Sequence, residues 1–178
     1  MIEIEKKYRL SAEQKNFALN ALKEFGAEFV REEREENILY RGGILTQTNA
    51  VLRVRKTQDR TILTYKKRIQ NEFSIKQQIE HETEISDAEE LKKIIANLGF
   101  VKSLVYEKRR KTWNFRDVEI VLDELPFGEF MEIEGAITAI AEAEMILGFE
   151  DFETEHATYP TLTMQFGKKI GEVFEARF

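Results

Sequence analysis

The sequence predicts an α+β fold: an eight-stranded antiparallel β-barrel forming a tunnel, with helices packed on the outside. Three observations carry that expectation. Apolar and polar residues alternate with period two over eight segments. A cassette recurs in which a Glu-x-Glu strand leads into an apolar-striped helix that stops at a glycine. The charged strand residues share faces and are sorted by sign, an arrangement from which an open sheet in water gains little, since a surface ion pair contributes about 0–1 kcal/mol.

The first cassette is Glu3-Ile4-Glu5, a helix from Ser11 to Phe25, then Gly26. The second is Glu82-Thr83-Glu84, Ser86 to Leu98, then Gly99; the third is Glu132-Ile133-Glu134, Thr138 to Leu147, then Gly148. Ser11 with Gln14, and Ser86 with Glu89, read as capping boxes, and the glycines as left-handed caps. Phe17, Leu19, Leu22 and Phe25 stripe the first helix; Leu91, Ile94, Ile95 and Leu98 the second; Ile140, Ala143, Met145, Ile146 and Leu147 the third. Strands are expected over Ile2–Arg9, Glu28–Tyr40, Ala50–Lys56, Thr61–Lys67, Gln77–Ile85, Val101–Phe115, Val118–Glu124 and Glu129–Glu134. Gln58–Arg60 and Asn114–Asp117 read as hairpin connections, and a last helix is expected from about Pro160 to Val173. Consecutive strands favour antiparallel pairing.

Composition narrows the chemistry. The chain has 178 residues, 42% of them apolar, with 13 Phe, enough for one packed domain spanning 1–178. Its formal net charge is -6, against general nucleic-acid binding. Without cysteine there is no disulfide, thiolate zinc site or thiol nucleophile. His81 and His156 are the two histidines and read as structural or surface groups. No apolar run approaches the roughly 20 residues of a membrane span, and the charged start is no signal peptide. A cytoplasmic protein with no membrane partner is the expectation; the sequence leaves a homodimer open.

Strand parity then places the charges. Glu3, Glu5 and Lys7 share a side against Ile2, Ile4 and Tyr8. Arg53 and Arg55 share one; so do Glu80, Glu82 and Glu84, Lys108 and Arg110, and Glu132 and Glu134. Lys66 lies with Thr64, and Asp123 with Glu119 and Val121. The plainer reading is that each polar face meets water while helices cover the apolar one. It strains over so many strands, because carboxylate pairs and cation pairs occupy separate strands. A closed sheet would instead hold both signs in a partly dry lumen, where an unpaired charge costs several kcal/mol. A matching occupant is a phosphate chain with divalent metal: guanidinium and ammonium groups take phosphate oxygens, and carboxylates take Mg²⁺ or Mn²⁺. Lys7, Arg53, Arg55, Lys66, Lys108 and Arg110 are more cations than one monophosphate needs; a triphosphate carries about four charges.

These residues resemble the CYTH superfamily, the triphosphate tunnel metalloenzymes. Its N-terminal Glu-x-Glu-x-Lys hallmark stands here as Glu3-Ile4-Glu5-Lys6-Lys7. In order follow Leu52-Arg53-Val54-Arg55, Tyr65-Lys66, Glu82-x-Glu84, Glu107-Lys108-Arg109-Arg110, Val121-Leu122-Asp123 and Gly128-Glu129-Phe130-Met131-Glu132-Ile133-Glu134. The resemblance implies an eight-stranded antiparallel tunnel. It implies Glu3, Glu5, Asp123, Glu132 and Glu134 as metal ligands, supported by Glu82 and Glu84. Arg53, Arg55, Lys66, Lys108 and Arg110 would bind the phosphates, and Lys7 and Glu5 would be catalytic. Lys168 or Lys169 would close one mouth. Where many relatives carry an Asp before the second-strand Tyr, this chain reads Asn37-Ile38-Leu39-Tyr40, and the family's late Ser-Tyr is Thr158-Tyr159 followed by Pro160.

The expected activity is metal-dependent hydrolysis of a triphosphate: inorganic tripolyphosphate, thiamine triphosphate or a nucleoside triphosphate. One alternative is class IV adenylate cyclase chemistry, with a ribose hydroxyl attacking ATP and pyrophosphate leaving. Another is a non-catalytic polyphosphate-binding module. The run Arg31-Glu32-Glu33-Arg34-Glu35-Glu36 reads as a solvated strand face, and Trp113, Phe115, Phe127 and Phe130 as packing residues.

Overall fold

The computed structural model describes residues 2–69 and 76–178. Strands β1 (Ile2–Leu10), β2 (Glu28–Arg41), β3 (Ala50–Lys56), β4 (Thr61–Ile69), β5 (Lys76–Glu84), β6 (Val101–Phe115), β7 (Val118–Leu125) and β8 (Gly128–Gly135) lie close to the segments that alternation marks. A hairpin of β9 (Lys168–Ile170) and β10 (Val173–Ala176) is added to them. The helices are α1 (Ala12–Glu24), α2 (Gly43–Gln47), α3 (Ala88–Asn97), α4 (Ile137–Leu147) and α5 (Tyr159–Phe166).

The sheet runs β2-β3-β4-β5-β1-β8-β7-β6, and β6 also pairs with β2 from Glu28↔Asn114 to Arg41↔Val101. The antiparallel circuit thus returns to its start and approximates a barrel. Among the described residues it is least regular beside β1, which pairs there with β5 from Ile2 to Glu5. Beyond that point the edge of β1 is taken by segment 153–155: Arg9 N–H donates to Glu153 O at 3.1 Å, and Glu155 N–H to Lys7 O at 2.8 Å. That segment delivers the chain to α5 at one end of the tunnel. β10 joins β6 in parallel, and β9 forms the outer edge.

Period-two alternation sends one side chain in and the next out. The outward row meets helices, as expected. Tyr8, Ile120, Leu122, Met131 and Ile133 pack with Ala18, Ala21 and Leu22 of α1 and Ile140, Ala143 and Leu147 of α4. Ile38, Val54 and Val105 pack with Leu91 and Ile95 of α3. Burying each large aliphatic chain contributes about 1.5–3 kcal/mol. A third cluster sits at one end of the tunnel, where Leu39, Leu104, Leu125 and Phe130 meet Tyr159 and Leu162 of α5.

Several local expectations change. Ser11 and Gln14 form the reciprocal capping box, whereas α3 is capped by Asp87, whose Oδ1 accepts from Glu89 and Glu90 N–H, and not by Ser86. Phe17, Phe25, Ile94, Leu98 and Met145 are exposed, and α1 buries Ala18, Ala21 and Leu22 in the core. The final helix stops at Phe166. Gly167 lies so tight that a Cβ there would come within 2.5 Å of Thr163 O, and Gly171 at φ +62° turns the chain into β9–β10. Trp113, Phe115 and Phe130 are buried, and Phe127 packs against Phe130, as expected of core residues. No helix among the described residues is long and apolar enough to cross a membrane.

Candidate functional site

Inward-facing residues of all eight circuit strands enclose a cavity of about 770 Å³. It brings Glu5, Lys7, Arg53, Arg55, Lys66, Glu82, Lys108, Arg110, Glu132 and Glu134 into one space, as strand parity requires. Register explains the neighbours: Glu5 faces Glu134 and Lys7 faces Glu132 across β1–β8, while Thr64 faces Arg53 and Glu82 on either side of β4.

Two charge clusters form the wall. On β3–β5, the Glu82 carboxylate bridges Arg53 Nη2 and Arg55 Nη2, each 3.2 Å from Oε1, and accepts from Thr64 Oγ1 at 2.7 Å. Lys66 Nζ lies 2.5 Å from Glu80 Oε2. Across the cavity, Arg110 grips Asp123 with Nε at 2.7 Å and Nη2 at 2.5 Å, and Nη2 also donates to Glu132 at 2.7 Å. Tyr159 OH donates to the same Asp123 at 2.8 Å, and Lys108 Nζ lies 3.4 Å from it. Lys7 Nζ is held by Glu132 at 3.2 Å and Ala157 O at 3.4 Å, 3.7 Å from the Tyr159 ring centroid. The ring face stabilises the ammonium by cation–π attraction.

Asp123 is fully buried and stands behind Arg110, outside the cavity lining. It anchors cations, and a ligand in the cavity meets Arg110 first. Glu84 is exposed, and Lys168 and Lys169 lie in an exposed hairpin; none of the three lines the cavity. The side chain of Glu3 is outside the described residues.

Sequence reasoning overlooked four groups. Glu35, in a run that looks like a solvated face, is 3% exposed and reaches Lys108 at 3.5 Å and Arg55 at 3.9 Å. Burial alone would raise its pKa; Lys108, Arg110 and Arg55, with the Asn37 hydrogen bond, override this and hold it at about 2. Burial also lowers the Lys108 pKa, and the neighbouring Arg110 adds to it, with Asp123 and Glu35 opposing. Arg31 and Glu119 line the cavity, Glu119 next to Glu134 in the β7–β8 register. Tyr159 closes over Lys7. Parity carried a signal for Arg31, Glu35 and Glu119, since odd positions of β2 and of the start of β7 face inward; for Tyr159 there was only the family's late tyrosine.

Glu5, Glu119, Glu132 and Glu134 supply oxygen donors to one cavity, a set that suits a hard divalent cation. Among the described residues, no three acidic or histidine groups already stand at metal-holding spacing. Arg53 Nε and Arg55 Nε are buried and meet no acceptor among the described residues, so each offers an N–H for an anionic oxygen.

A candidate adenylate cyclase of Methanocaldococcus jannaschii is 30% identical over 150 residues, 83% of this chain and 84% of its own. The solved structure of PH1819 from Pyrococcus horikoshii OT3 superposes with a TM-score of 0.74 at 26% identity, covering 92% of this chain and 98% of that one. HpAC1 of Hippeastrum, a candidate adenylyl cyclase described as having a dominant triphosphatase activity, superposes at 0.69 and 16% identity, over 97% and 99% of the two chains, a likeness of fold alone. The CYTH domain family profile matches residues 1–157, and on that match, with its sheet and charged cavity, the chain belongs to the CYTH domain family.

Proposed function

We propose that the protein hydrolyses a triphosphate in this cavity with the help of a divalent metal, Mg²⁺ or Mn²⁺. The observation that carries the reading is convergence: six cations from β1, β3, β4 and β6 face one enclosed space with the carboxylates of β1 and β8. Charge balance supports the metal. Among the described residues, seven cations line the cavity against six carboxylates, and buried Glu35 and Asp123 bring the acidic side to eight. A triphosphate bearing about four negative charges then needs further cations to enter such a space.

Glu5, Glu132 and Glu134, with Glu3 of the same strand, would hold the metal. When bound, it neutralises phosphate charge and activates water. The protein's own groups position the chain. Arg53, Arg55, Lys66, Lys108 and Arg110 take nonbridging oxygens, the two Arg Nε–H groups finding the acceptors they lack. Phosphoryl transfer is mostly positioning and charge stabilisation. Water attacks the terminal phosphorus, its proton passes to Glu5, and the P–O bond to the bridging oxygen breaks. Lys7, held by Glu132, Ala157 and Tyr159, donates to the departing oxygen.

The adenylate cyclase name of the relative at 30% identity favours one competing outcome, attack by a ribose hydroxyl on ATP. Phosphate, pyrophosphate and cyclic AMP release are measured from tripolyphosphate, thiamine triphosphate and ATP with Mg²⁺, Mn²⁺ or EDTA. The proposal expects metal-dependent orthophosphate, lost about a hundredfold in Glu134→Gln. Cyclic AMP as the main product, or phosphate release unaffected by EDTA, refutes it.

A further inference from the structure

Lys7 is gripped by the segment that leads into α5 as well as by its own sheet. Glu132 draws the ammonium toward β8 at 3.2 Å. The Ala157 carbonyl at 3.4 Å and the Tyr159 ring at 3.7 Å hold it from that segment. The main chain of Lys7 is bound there too, since its carbonyl accepts from Glu155 N–H at 2.8 Å, and Tyr8 bridges to Thr154. Past Glu155 the chain leaves the edge of β1 and enters α5 within four residues, His156 being exposed on the way.

A side chain closes this turn. Glu155 Oε1 accepts from Ala157 N–H at 2.8 Å, two residues on, and Oε2 lies 3.4 Å from Arg9 Nε. Local bonds of this kind take over from a ladder where a strand ends. Ala157 is thereby fixed on one side by Glu155 and on the other by Thr158, whose hydroxyl caps α5 by accepting from Thr161 N–H at 3.2 Å. The Glu155 side chain is 16% exposed and is not among the described residues that line the cavity.

We propose that Glu155 is a positioning residue: by closing the 155–157 turn it sets the Ala157 carbonyl and the Tyr159 ring on Lys7 and so aims the ammonium at the departing oxygen. This rests on the reading of Lys7 as the donor to that oxygen. The lysine stem is flexible, and the contact with Glu132 by itself leaves the direction of the ammonium open. A misplacement of about 1 Å costs about a hundredfold in rate. Releasing the carbonyl while Glu132 and Tyr159 stay should cost about tenfold.

The experiment measures kcat and KM with Mg²⁺ on whichever of tripolyphosphate, thiamine triphosphate and ATP the wild type turns over fastest, with thermal melts checking the fold. Glu155→Ala should lower kcat about tenfold with KM within about twofold, because the phosphate-holding cations of β3, β4 and β6 are untouched. Glu155→Gln keeps an oxygen for the Ala157 N–H and should stay within about threefold of wild type. In a Lys7→Ala background, Glu155→Ala should cost nothing further, since its effect runs through Lys7. Glu153→Ala, an exposed side chain in the same segment, should leave kcat unchanged. Ala157→Gly, which loosens the same peptide, should lower kcat severalfold and decides the matter if Glu155→Ala does not fold. An unmoved kcat in Glu155→Ala, a loss as large in Glu155→Gln, or the same loss with and without Lys7 overturns the positioning role and leaves hydrolysis standing. No turnover of any of the three substrates by the wild type overturns both.

Discussion

Asp123→Asn tests whether this carboxylate holds cations in place or ligates metal. The side chain is fully buried and takes two bonds from Arg110, one from Tyr159 and a longer contact from Lys108. Asparagine keeps the volume but replaces one oxygen with an NH₂ donor and removes the charge. If that group replaces Oδ2, it faces Arg110 Nη2, Tyr159 OH and Lys108 Nζ, three donors. Lys108 then keeps Glu35, and Arg110 keeps Glu132. Removing one partner from a buried charge network costs about 3–5 kcal/mol. For a domain of this size each kcal/mol is about 2–4 °C in melting temperature, so the midpoint should fall by about 6–20 °C. Circular dichroism melts and urea midpoints in EDTA read this directly, with Glu134→Gln, an exposed position, expected within about 0.5 kcal/mol of wild type. If Asp123→Asn melts with the wild type in EDTA and loses only Mg²⁺ affinity, the anchoring argument is wrong and Asp123 is a ligand.

Glu35 has a folded pKa of about 2 against an ordinary 4.5. Its stabilisation is therefore complete above about pH 4.5 and is lost as pH falls toward 2; the shift corresponds to roughly 3 kcal/mol. Acid titration of unfolding should show that slope in the wild type and a flatter one in Glu35→Gln; identical slopes would discard the assignment. Glu82 occupies both guanidinium groups with a carboxylate where a phosphate oxygen would sit. Glu82→Gln should raise tripolyphosphate affinity in EDTA about tenfold by calorimetry, and unchanged or weaker binding would show that the bridge does not compete with phosphate.

Alternation alone assigned the strand segments and the direction of Arg53, Arg55, Lys66, Lys108, Arg110, Glu132 and Glu134, because a period of two leaves each side chain only two faces and the apolar one must meet helices. The ordered Glu and Arg pairs also sufficed to suggest phosphate and metal. Which carboxylate holds which cation was beyond the sequence, since Asp123 with Arg110 or Glu35 with Lys108 depends on cross-strand register and on β6 closing against β2. Local pattern could not distinguish buried Glu35 from its solvated neighbours Glu32 and Arg34, because burial there comes from a ring of strands far apart in the chain. The docking of Tyr159 on Lys7 and the hairpin after Gly167 were likewise decided by tertiary structure: each arises where segments distant in sequence meet, and periodicity within one strand carries no term for that meeting.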